Sequence, residues 1–336
     1  MAAEVRKRRL DDPQVGEFLA RQETYLFQEP VWRQVLSSLG YEAAYYCLED
    51  GGRIVLAQPV LHMRLGFFHL LYGGLPYGFA VGDLTRYQEL VDGLARLAAA
   101  EGAHRVRLSR NYYDPNLAPA GYTVQEHAQH VLHFGGRTED EIWRDLKRRV
   151  RHDVRVAMSR GVEVKDARTE ADRAVIFEMY YQTMARNRTY LIWQPALIEE
   201  TWRLLVEPGR GEMMISWHDG EPLAAMITFY DGPRCFAFLG ASTGSKRNLR
   251  PNDALFWEAM KRAMARGCQD FDFMMSSRDD GALIAFKDKW GATRHPFLFF
   301  EKDLSCLRCW AWNLAFRAAR TQLGGAMLRW VRRRKG

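Results

Sequence analysis

The chain has 336 residues, of which 47% are hydrophobic and 12% aromatic, so it has the apolar content of a globular protein with one large or two ordinary domains. Its formal net charge is +7, but residues 304–336 hold eight basic residues and no acidic one, which leaves residues 1–303 at −1. This distribution excludes a generally basic body of the kind that binds nucleic acid over its whole surface.

Neither a secretion signal nor a membrane span is expected. The N-terminal residues are charged and lack the apolar core of a signal peptide. The longest apolar stretch, residues 67–82, is interrupted by His69, Pro76 and four glycines, so it is too short to cross a bilayer. We therefore expect a cytoplasmic protein.

The cysteines and histidines do not predict a metal site. The five cysteines are scattered and odd in number, which indicates free, mostly buried thiols, and Cys306-x-x-Cys309 lacks a second pair. His127, His130 and His133 have a suggestive spacing. In a strand, however, the side chains of 127 and 133 face opposite to that of 130, which spoils a three-ligand site.

The first half of the chain alternates between strand and helix patterns. Residues 53–61 and 105–110 are typical of strands, and residues 84–101 form an amphipathic helix pattern that ends at Gly102. A further strand is predicted at about 123–134.

A single helix is predicted from the capping box of Thr138 and Glu141 up to Gly161. Its apolar face carries Trp143, Leu146, Val150, Val154 and Met158. Its outer face carries Arg144, Lys147, Arg148, Arg149, Arg151, Arg155 and Arg160.

The second half predicts a helix at 170–187, a three-stranded antiparallel meander, and a helix at 252–266 that Pro251 opens. Short strands are expected at 162–164, 212–217, 223–230, 234–240, 271–274 and 296–300. The fold class is therefore mixed α/β (α+β). The order helix, meander, helix, strand, strand is that of a GNAT acyltransferase unit, and residues 1–135 repeat it loosely.

Four stretches, in order, resemble the Fem family of peptidoglycan aminoacyl transferases. They are PVWRQVLSSLGYEAAYYCLEDGGRIVLAQPVL, DLKRRVRHDVRVAMSRGVEV, YYQTMARNRTYLIW and FAFLGASTGSKRNLRPNDALFWEAMKRAMARGCQDFDFMMSSRDDGALIAFKDKWGA. The last is similar to Fem-related proteins of Gram-negative exopolysaccharide and exosortase loci. The resemblance covers residues 30–300, without the coiled-coil arm of longer members.

The resemblance implies tandem GNAT-like domains with a cleft between them. We assign residues 1–160 to the first domain, 161–302 to the second and 303–336 to a basic, amphipathic C-terminal helical segment. The resemblance also implies transfer of an acyl group, usually aminoacyl from a charged tRNA, to an amine of a cell-wall precursor.

Phe286-Lys287 matches the Phe-Lys pair of the family. Acyl transfer to an amine passes through a tetrahedral intermediate whose oxyanion needs fixed positive charge or N–H donors. The resemblance therefore implies that Lys287, at the foot of a strand, is the electrostatic catalyst and that the backbone of Phe286 assists. Trp290 either closes the pocket or is an ordinary core indole. Without the resemblance, Lys287 beside Asp288 would be part of a solvated turn.

Arg186 and Arg188 lie in the stretch that matches the family's Thr-x-x-Arg segment, where an arginine holds the phosphates of a lipid- or nucleotide-linked acceptor. The match leaves one residue of slack, so it does not decide whether Arg186 or Arg188 corresponds to the family's arginine. The family's basic residue after the first-domain tryptophan has no clear counterpart, because Trp32 is followed by Arg33 and then by Gln34, Val35 and Leu36. This departure puts the family's mode of acceptor recognition in doubt.

The donor is open between aminoacyl-tRNA and acyl-CoA. CoA-using GNAT proteins bind pyrophosphate on a glycine-rich turn at a helix N-terminus, whereas SKRNLRPND has no glycine and Pro251 removes one N–H. Phosphate would instead be bound by the side chains of Lys246, Arg247 and Arg250. This favours an aminoacyl-tRNA, and the basic helix face at 144–160 suits its acceptor stem, if it is not simply a solvated face.

A general base is not evident. Asp272, in the strand FDF, is a candidate proton acceptor or else a structural carboxylate. Asp279 and Asp280 are predicted to lie in a turn without a chemical role.

The C-terminal segment mixes tryptophan and leucine with arginine, which is typical of an interfacial membrane helix. The alternative is a helix packed on the first domain. We expect residues 304–316 to pack and the remainder to bind an anionic membrane. The membrane-binding residues would be Arg329, Trp330, Arg332, Arg333, Arg334 and Lys335.

The sequence thus favours an N-acyltransferase that modifies an amine of a lipid- or sugar-linked envelope precursor, peripheral on the inner face of the membrane. One alternative is an acyl-CoA-dependent acetyltransferase for polysaccharide or lipid. A second alternative is a catalytically inactive, membrane-bound binding module, in which Lys287→Ala would leave cellular function intact.

Removal of residues 318–336 is expected to release the protein from vesicles rich in an anionic phospholipid, because each basic residue near such a surface contributes about 1 kcal/mol. Vesicle co-sedimentation measures the bound fraction, with zwitterionic vesicles as the control. Equal binding by the full and the shortened chain would contradict the assignment of the tail.

Overall fold

In a computed structural model, residues 3–187 and 193–319 are described. They form two compact units. Unit 1 comprises the residues up to Gln125 and those from Leu298 onward, and unit 2 runs from Glu126 to Phe297. Within the described residues, no helix is both long and apolar enough to cross a membrane.

The elements of residues 3–133 are, in chain order, β1 (Glu4–Arg9), α1 (Pro13–Leu19), α2 (Pro30–Ser37), β2 (Glu42–Asp50), β3 (Arg53–Leu65), β4 (Phe68–Gly73), β5 (Val81–Gly82), α3 (Tyr87–Ala100), β6 (Arg105–Arg110) and β7 (Thr123–His133). The later elements are α4 (Glu139–Asp145), α5 (Arg148–Ser159), β8 (Glu163–Asp166), α6 (Glu170–Arg186), α7 (Pro195–Thr201), β9 (Gly211–His218), β10 (Glu221–Asp231), β11 (Arg234–Ser242), α8 (Pro251–Ala265), β12 (Asp270–Ser276), α9 (Gly281–Lys289), β13 (Thr293–Asp303) and α10 (Cys306–Ala319).

In unit 1 the strands lie in the order β1-β2-β3-β4-β6, followed by the C-terminal half of β13, and β5 pairs with β3. β4 and β6 are parallel, and the other pairs are antiparallel. Successive side chains of β2 face opposite sides. Tyr46 and Leu48 belong to the core cluster of α3, whereas Tyr45 and Cys47 pack with α1.

Helix α10 packs on unit 1 through one side. Cys309 is buried and its Sγ donates to the carbonyl of His104, and the ring of Trp312 stacks on that of Phe68 with centroids 4.8 Å apart. The predicted packing of residues 304–316 is therefore found for these two side chains. The predicted membrane-binding residues, from Arg329 to Lys335, lie outside the described residues.

Unit 2 is built on strands in the order β7-β12-β11-β10-β9-β8. β11 and β12 are parallel, and the other pairs are antiparallel, so β9, β10 and β11 form the meander predicted from the sequence. Helices α4, α5 and α8 contribute to one apolar core with β9–β12, and α6 packs against β10 and β11.

The helix predicted over 138–160 is two helices. The capping box of Thr138 and Glu141 is present, but Leu146 and Lys147 have extended backbones, with ψ of 142° and 140°, and separate α4 from α5. This break lets Leu146 enter the same core as Val150 on α5. Met158, predicted on the apolar face, is exposed near the end of α5, so the buried face of that helix does not include it.

The division between the units lies at residue 125, whereas the sequence placed a boundary at 160. The physical reason is the packing of α4 and α5: Ile142 and Val154 share a core with Leu255 and Met260 of α8. The segment assigned as 303–336 begins within β13, and α10 belongs to unit 1.

Candidate active site

Unit 2 contains a cavity of about 330 Å³ at the N-terminus of α8. Its lining residues are Arg186, Leu223, Ser242, Gly244, Ser245, Arg247, Arg250, Pro251, Asn252, Asp253, Phe286 and Lys289. Three of the predicted phosphate-binding residues, Arg186, Arg247 and Arg250, therefore meet at one site. The sequence had assigned Arg186 to the acceptor and the other two to the donor.

The cavity carries an excess of positive charge. Of its four basic side chains, Arg250 pairs with Asp153 (Nε to Oδ1, 3.2 Å) and Lys289 pairs with Asp253. Within residues 3–187 and 193–317, Arg186 and Arg247 have no carboxylate partner. Two guanidinium groups without counter-charge, beside the positive end of a helix dipole, favour a bound anion.

Arg186 is held by neutral groups of the loop that follows β11. Its Nη1 donates to the carbonyls of Ser242 and Thr243, both at 3.2 Å, and its Nη2 donates to the Ser242 hydroxyl. Burial and the like charge of Arg247 lower the pKa of Arg186. Gly244 has φ of +79°, and a Cβ there would lie 2.7 Å from Nη1, so only glycine allows this approach.

The loop before α8 is strained at two non-glycine residues. Lys246 and Arg250 have left-handed backbones, with φ of 43° and 58°, a conformation that costs on the order of 1–3 kcal/mol and is concentrated at functional sites. Lys246 does not line the cavity, because its Nζ pairs with Glu221 at 2.6 Å. Arg247 and Arg250 thus remain the phosphate candidates of this loop.

Lys287 lies on α9, not at the foot of a strand as predicted, and is 5% exposed. Its Nζ donates to the carbonyls of Met274 (2.9 Å) and Met275 (3.1 Å). Burial lowers the pKa of Lys287 to about 7, against the opposing charges of Asp272 and Asp280. Phe286 lines the cavity and Lys287 does not, so the ammonium is one residue removed from the cavity wall.

Asp272 occupies the position of a structural carboxylate, the second of the two roles considered from the sequence. It is fully buried, its Oδ1 accepts from the Met274 backbone N–H at 2.7 Å, and its Oδ2 accepts from Gln129 Nε2 at 2.7 Å. Met274 has φ of 62°, at an irregularity in the pairing of β12 with β7. Asp272 thus stabilises the turn whose carbonyls bind Lys287.

Trp290 is an ordinary core indole, since it is 1% exposed, packs near Phe256 and does not line the cavity. Arg188, the second candidate for phosphate binding, lies outside the described residues. In unit 1, Arg33 is fully buried and its Nη2 donates to the carbonyls of Phe27 and Tyr77.

The three histidines of β7 do not form a metal site. His130 is buried with Nε2 3.6 Å from Asp288, whereas His133 pairs with Asp270 and lies 3.3 Å from His295. Among the described residues, no group of three or more histidine, cysteine or acidic side chains is arranged to hold a metal ion.

The basic face of α5 adjoins the cavity loop. Arg148, Arg149 and Arg155 are exposed, and Arg160 donates to the carbonyl of Asn248 at 3.0 Å. Together with the Arg250–Asp153 pair, this contact joins the helix to the loop before α8. The C-terminal half of α5 therefore contacts the cavity loop, and the same helix carries three exposed arginines.

Several lining residues were not identified from the sequence, among them Gly244, Asp253 and Lys289. Gly244 carried a usable signal, because it follows a strand and precedes a helix, where a glycine permits a close approach. No sequence pattern pointed to Lys289 and Asp253, because their ion pair forms only when α9 packs beside α8.

Residues 144–287 match the family model described as an acetyltransferase (GNAT) domain. A comparison with curated proteins gave no significant match. Among solved structures, FemX has a TM-score of 0.63 at 16% identity, covering 89% of this chain and 97% of that one. The chain has the fold of the Fem-related GNAT acyltransferases.

Two further structures share this GNAT fold. A tandem GNAT protein from the clavulanic acid biosynthesis pathway has a TM-score of 0.61 at 12% identity, covering 90% of this chain and 99% of its own. L-PGS from Bacillus licheniformis has a TM-score of 0.54 at 12% identity, covering 87% of this chain and 92% of its own. The expectation of a tandem GNAT fold is confirmed.

Gly244→Ala is expected to weaken binding of inorganic pyrophosphate about tenfold, because the new Cβ displaces the Arg186 guanidinium. Isothermal titration calorimetry measures the affinity. Gly240→Ala is the matched control, since its Cβ would meet nothing within 4 Å. Equal weakening by both variants would mean that the effect does not come from Arg186.

Lys287→Met is expected to change how stability depends on pH. A lysine in the unfolded chain holds its proton below about 10.5, whereas folded Lys287 holds it only below about 7. The unfolded state therefore binds more protons between these values, and wild-type stability rises with pH across that window. Below pH 7 this contribution is constant.

Urea unfolding across this pH range measures the effect. The variant should lack the lysine-dependent rise, whereas the exposed Lys165→Met should keep it. Parallel curves for wild type and Lys287→Met would show that the ammonium is not desolvated in the folded protein.

Proposed function

We propose that this protein is an N-acyltransferase that moves an aminoacyl group from an aminoacyl-tRNA to an amine of a lipid- or nucleotide-linked envelope precursor at the inner membrane face. The observation that carries the proposal is the convergence of Arg186 and Arg247, both without a carboxylate partner among the described residues, on a cavity at the N-terminus of α8 in a GNAT domain. Phe286, the residue before the buried Lys287, lines the same cavity.

The cavity is proposed to bind the phosphates next to the scissile bond. A guanidinium group can bind two phosphate oxygens at once through parallel N–H donors. The first residues of α8 add the positive end of the helix dipole. Arg186 is anchored by three hydrogen bonds that it donates to Ser242 and Thr243, so it loses little conformational entropy on binding. This supports a phosphate-bearing donor.

An RNA donor is favoured by the surface beside the cavity. Arg148, Arg149 and Arg155 of α5 are exposed, and Arg160 and Arg250 connect that helix to the cavity loop. A single-stranded 3′ end in the cavity and a stem along α5 would both meet positive charge.

Lys287 is proposed to supply the charge for the tetrahedral intermediate. An ammonium group has three donors, and two of them bind the carbonyls of Met274 and Met275. The third is left for a developing oxyanion. As the C–N bond forms and the ester C–O bond breaks, the proton lost by the attacking amine passes to the leaving hydroxyl.

Acyl-CoA is the second candidate donor. Gly244 and the N-terminus of α8 line the cavity, and a glycine beside a helix start is a feature of pyrophosphate sites. Heat-shift measurements with CoA and with a mixture of charged tRNAs separate the two. Stabilisation by CoA but not by charged tRNA would overturn the aminoacyl proposal while leaving acyl transfer.

Lys287→Met is expected to lower transfer of a labelled amino acid from charged tRNA to a lipid- or nucleotide-linked amine by about 100-fold or more, because the oxyanion loses its charged donor. The wild-type rate should rise with pH, as the attacking amine loses its proton, and level off near pH 7, where Lys287 begins to lose its own. The pH profile of Lys287→Met should lack this change of slope near pH 7.

Lys165→Met is again the control, and its rate and profile should equal those of the wild type. An intact rate in Lys287→Met would refute the catalytic role. Intact cellular function in cells that carry Lys287→Met would instead favour the inactive binding module, the remaining alternative.

A further inference from the structure

Helix α10 exposes a continuous apolar face. Leu307, Trp310 and Leu314 are 74%, 64% and 55% exposed, and their spacing of three and four residues places them on one side of the helix. The packed side chains of α10 lie on another side of the helix: the Cys309 thiol bonds the carbonyl of His104, and Trp312 stacks on Phe68. The helix is thus fixed to unit 1 by one side while the other is uncovered in the described protein.

The turn between β3 and β4 adds an exposed ring beside the packed side of α10. Phe67, at the turn, is 48% exposed and lies edge-on to Trp312 with ring centroids 6.0 Å apart. Large exposed apolar side chains that adjoin one another on a soluble unit mark a contact surface, whereas single ones do not.

Positive charge borders the apolar residues. Arg308 and Arg317 of α10 and Arg64 near the turn are all exposed. The acidic residue before the helix, Asp303, pairs with Arg105. Residues 304–336 contain no acidic residue. An apolar centre with tryptophan and an arginine rim is the pattern of a surface that lies in the interface of an anionic bilayer.

We infer that the face of α10 formed by Leu307, Trp310 and Leu314 inserts into the interface of an anionic lipid bilayer. The chain's own residues 320–336 are the other candidate to cover it, but they carry six basic groups and no acidic one, so they would add like charge to the arginine rim. A second copy of the chain would likewise bring positive charge against the arginine rim. An anionic lipid headgroup neutralises that rim.

The inference extends the membrane contact of the proposed function from the tail to the folded part of unit 1. Its test uses lipid binding alone, so its failure is distinguishable from a failure of acyl transfer.

The test is partitioning of the full chain onto phosphatidylglycerol vesicles. The double variant Leu307→Ser, Trp310→Ser is expected to bind at least about tenfold more weakly than the wild type. Met158→Ser, which removes an equally exposed apolar side chain from unit 2, should bind as the wild type does. Wild-type binding by the double variant would overturn the inference.

A polarity-sensitive dye locates the face directly. It is attached to Leu314→Cys in a background with Cys306→Ser, since Cys306 is the exposed cysteine of the described residues. Its emission should shift to the blue when vesicles are added, whereas a dye on Met158→Cys should not shift. A dye on residue 314 that is already in an apolar environment before lipid is added would mean that the tail or a second copy covers the face.

Discussion

The site depends on burying the ammonium of Lys287 with backbone carbonyls in place of a carboxylate. A cation taken out of water is costly unless hydrogen bonds replace its hydration. Here the carbonyls of Met274 and Met275 provide them, and they face Nζ only because Met274 has a left-handed backbone. Asp272 stabilises that backbone by accepting the Met274 N–H, and Gln129 fixes Asp272 in turn. Burial lowers the pKa of Lys287, and the departure of β12 from regular pairing with β7 places the two carbonyls that offset part of this cost.

In the cavity, the guanidinium group of Arg186 is likewise bound by neutral oxygens in place of a carboxylate. Arg186 bonds only neutral oxygens among the described residues, and Gly244 leaves it the space to do so. Because Arg186 has no carboxylate partner among the described residues, an anion that binds it does not have to break an ion pair. Arg250 and Lys289, by contrast, have carboxylate partners, so a ligand would have to compete with Asp153 and Asp253 for them. Arg186 and Arg247 are therefore the residues that distinguish this cavity from a merely charged surface.

Local patterns were sufficient to predict the meander of unit 2, the helix that Pro251 opens and the capping box at Thr138, because each depends on neighbouring residues. Periodicity could not predict the break at Leu146 and Lys147, since that bend depends on a core formed with α8, more than a hundred residues later. The same limit applies to the site. A motif located Phe286 and Lys287, but the helical setting of Lys287 and the convergence of Arg186 with Arg247 require the packed fold.

Net charge was a poor guide to where anions bind. Residues 1–303 sum to −1, yet within them α5 presents exposed arginines and the cavity carries two guanidinium groups without a carboxylate among the described residues. Fields add locally and are screened within about 8 Å at physiological salt, so the sum over a chain conceals such local concentrations of charge. The C-terminal segment differs because its charge is unopposed along its whole length. The proposed phosphate site uses two guanidinium groups at one helix start, whereas the proposed membrane contact uses a basic rim around apolar side chains, so each depends on a local group of cations rather than on the net charge.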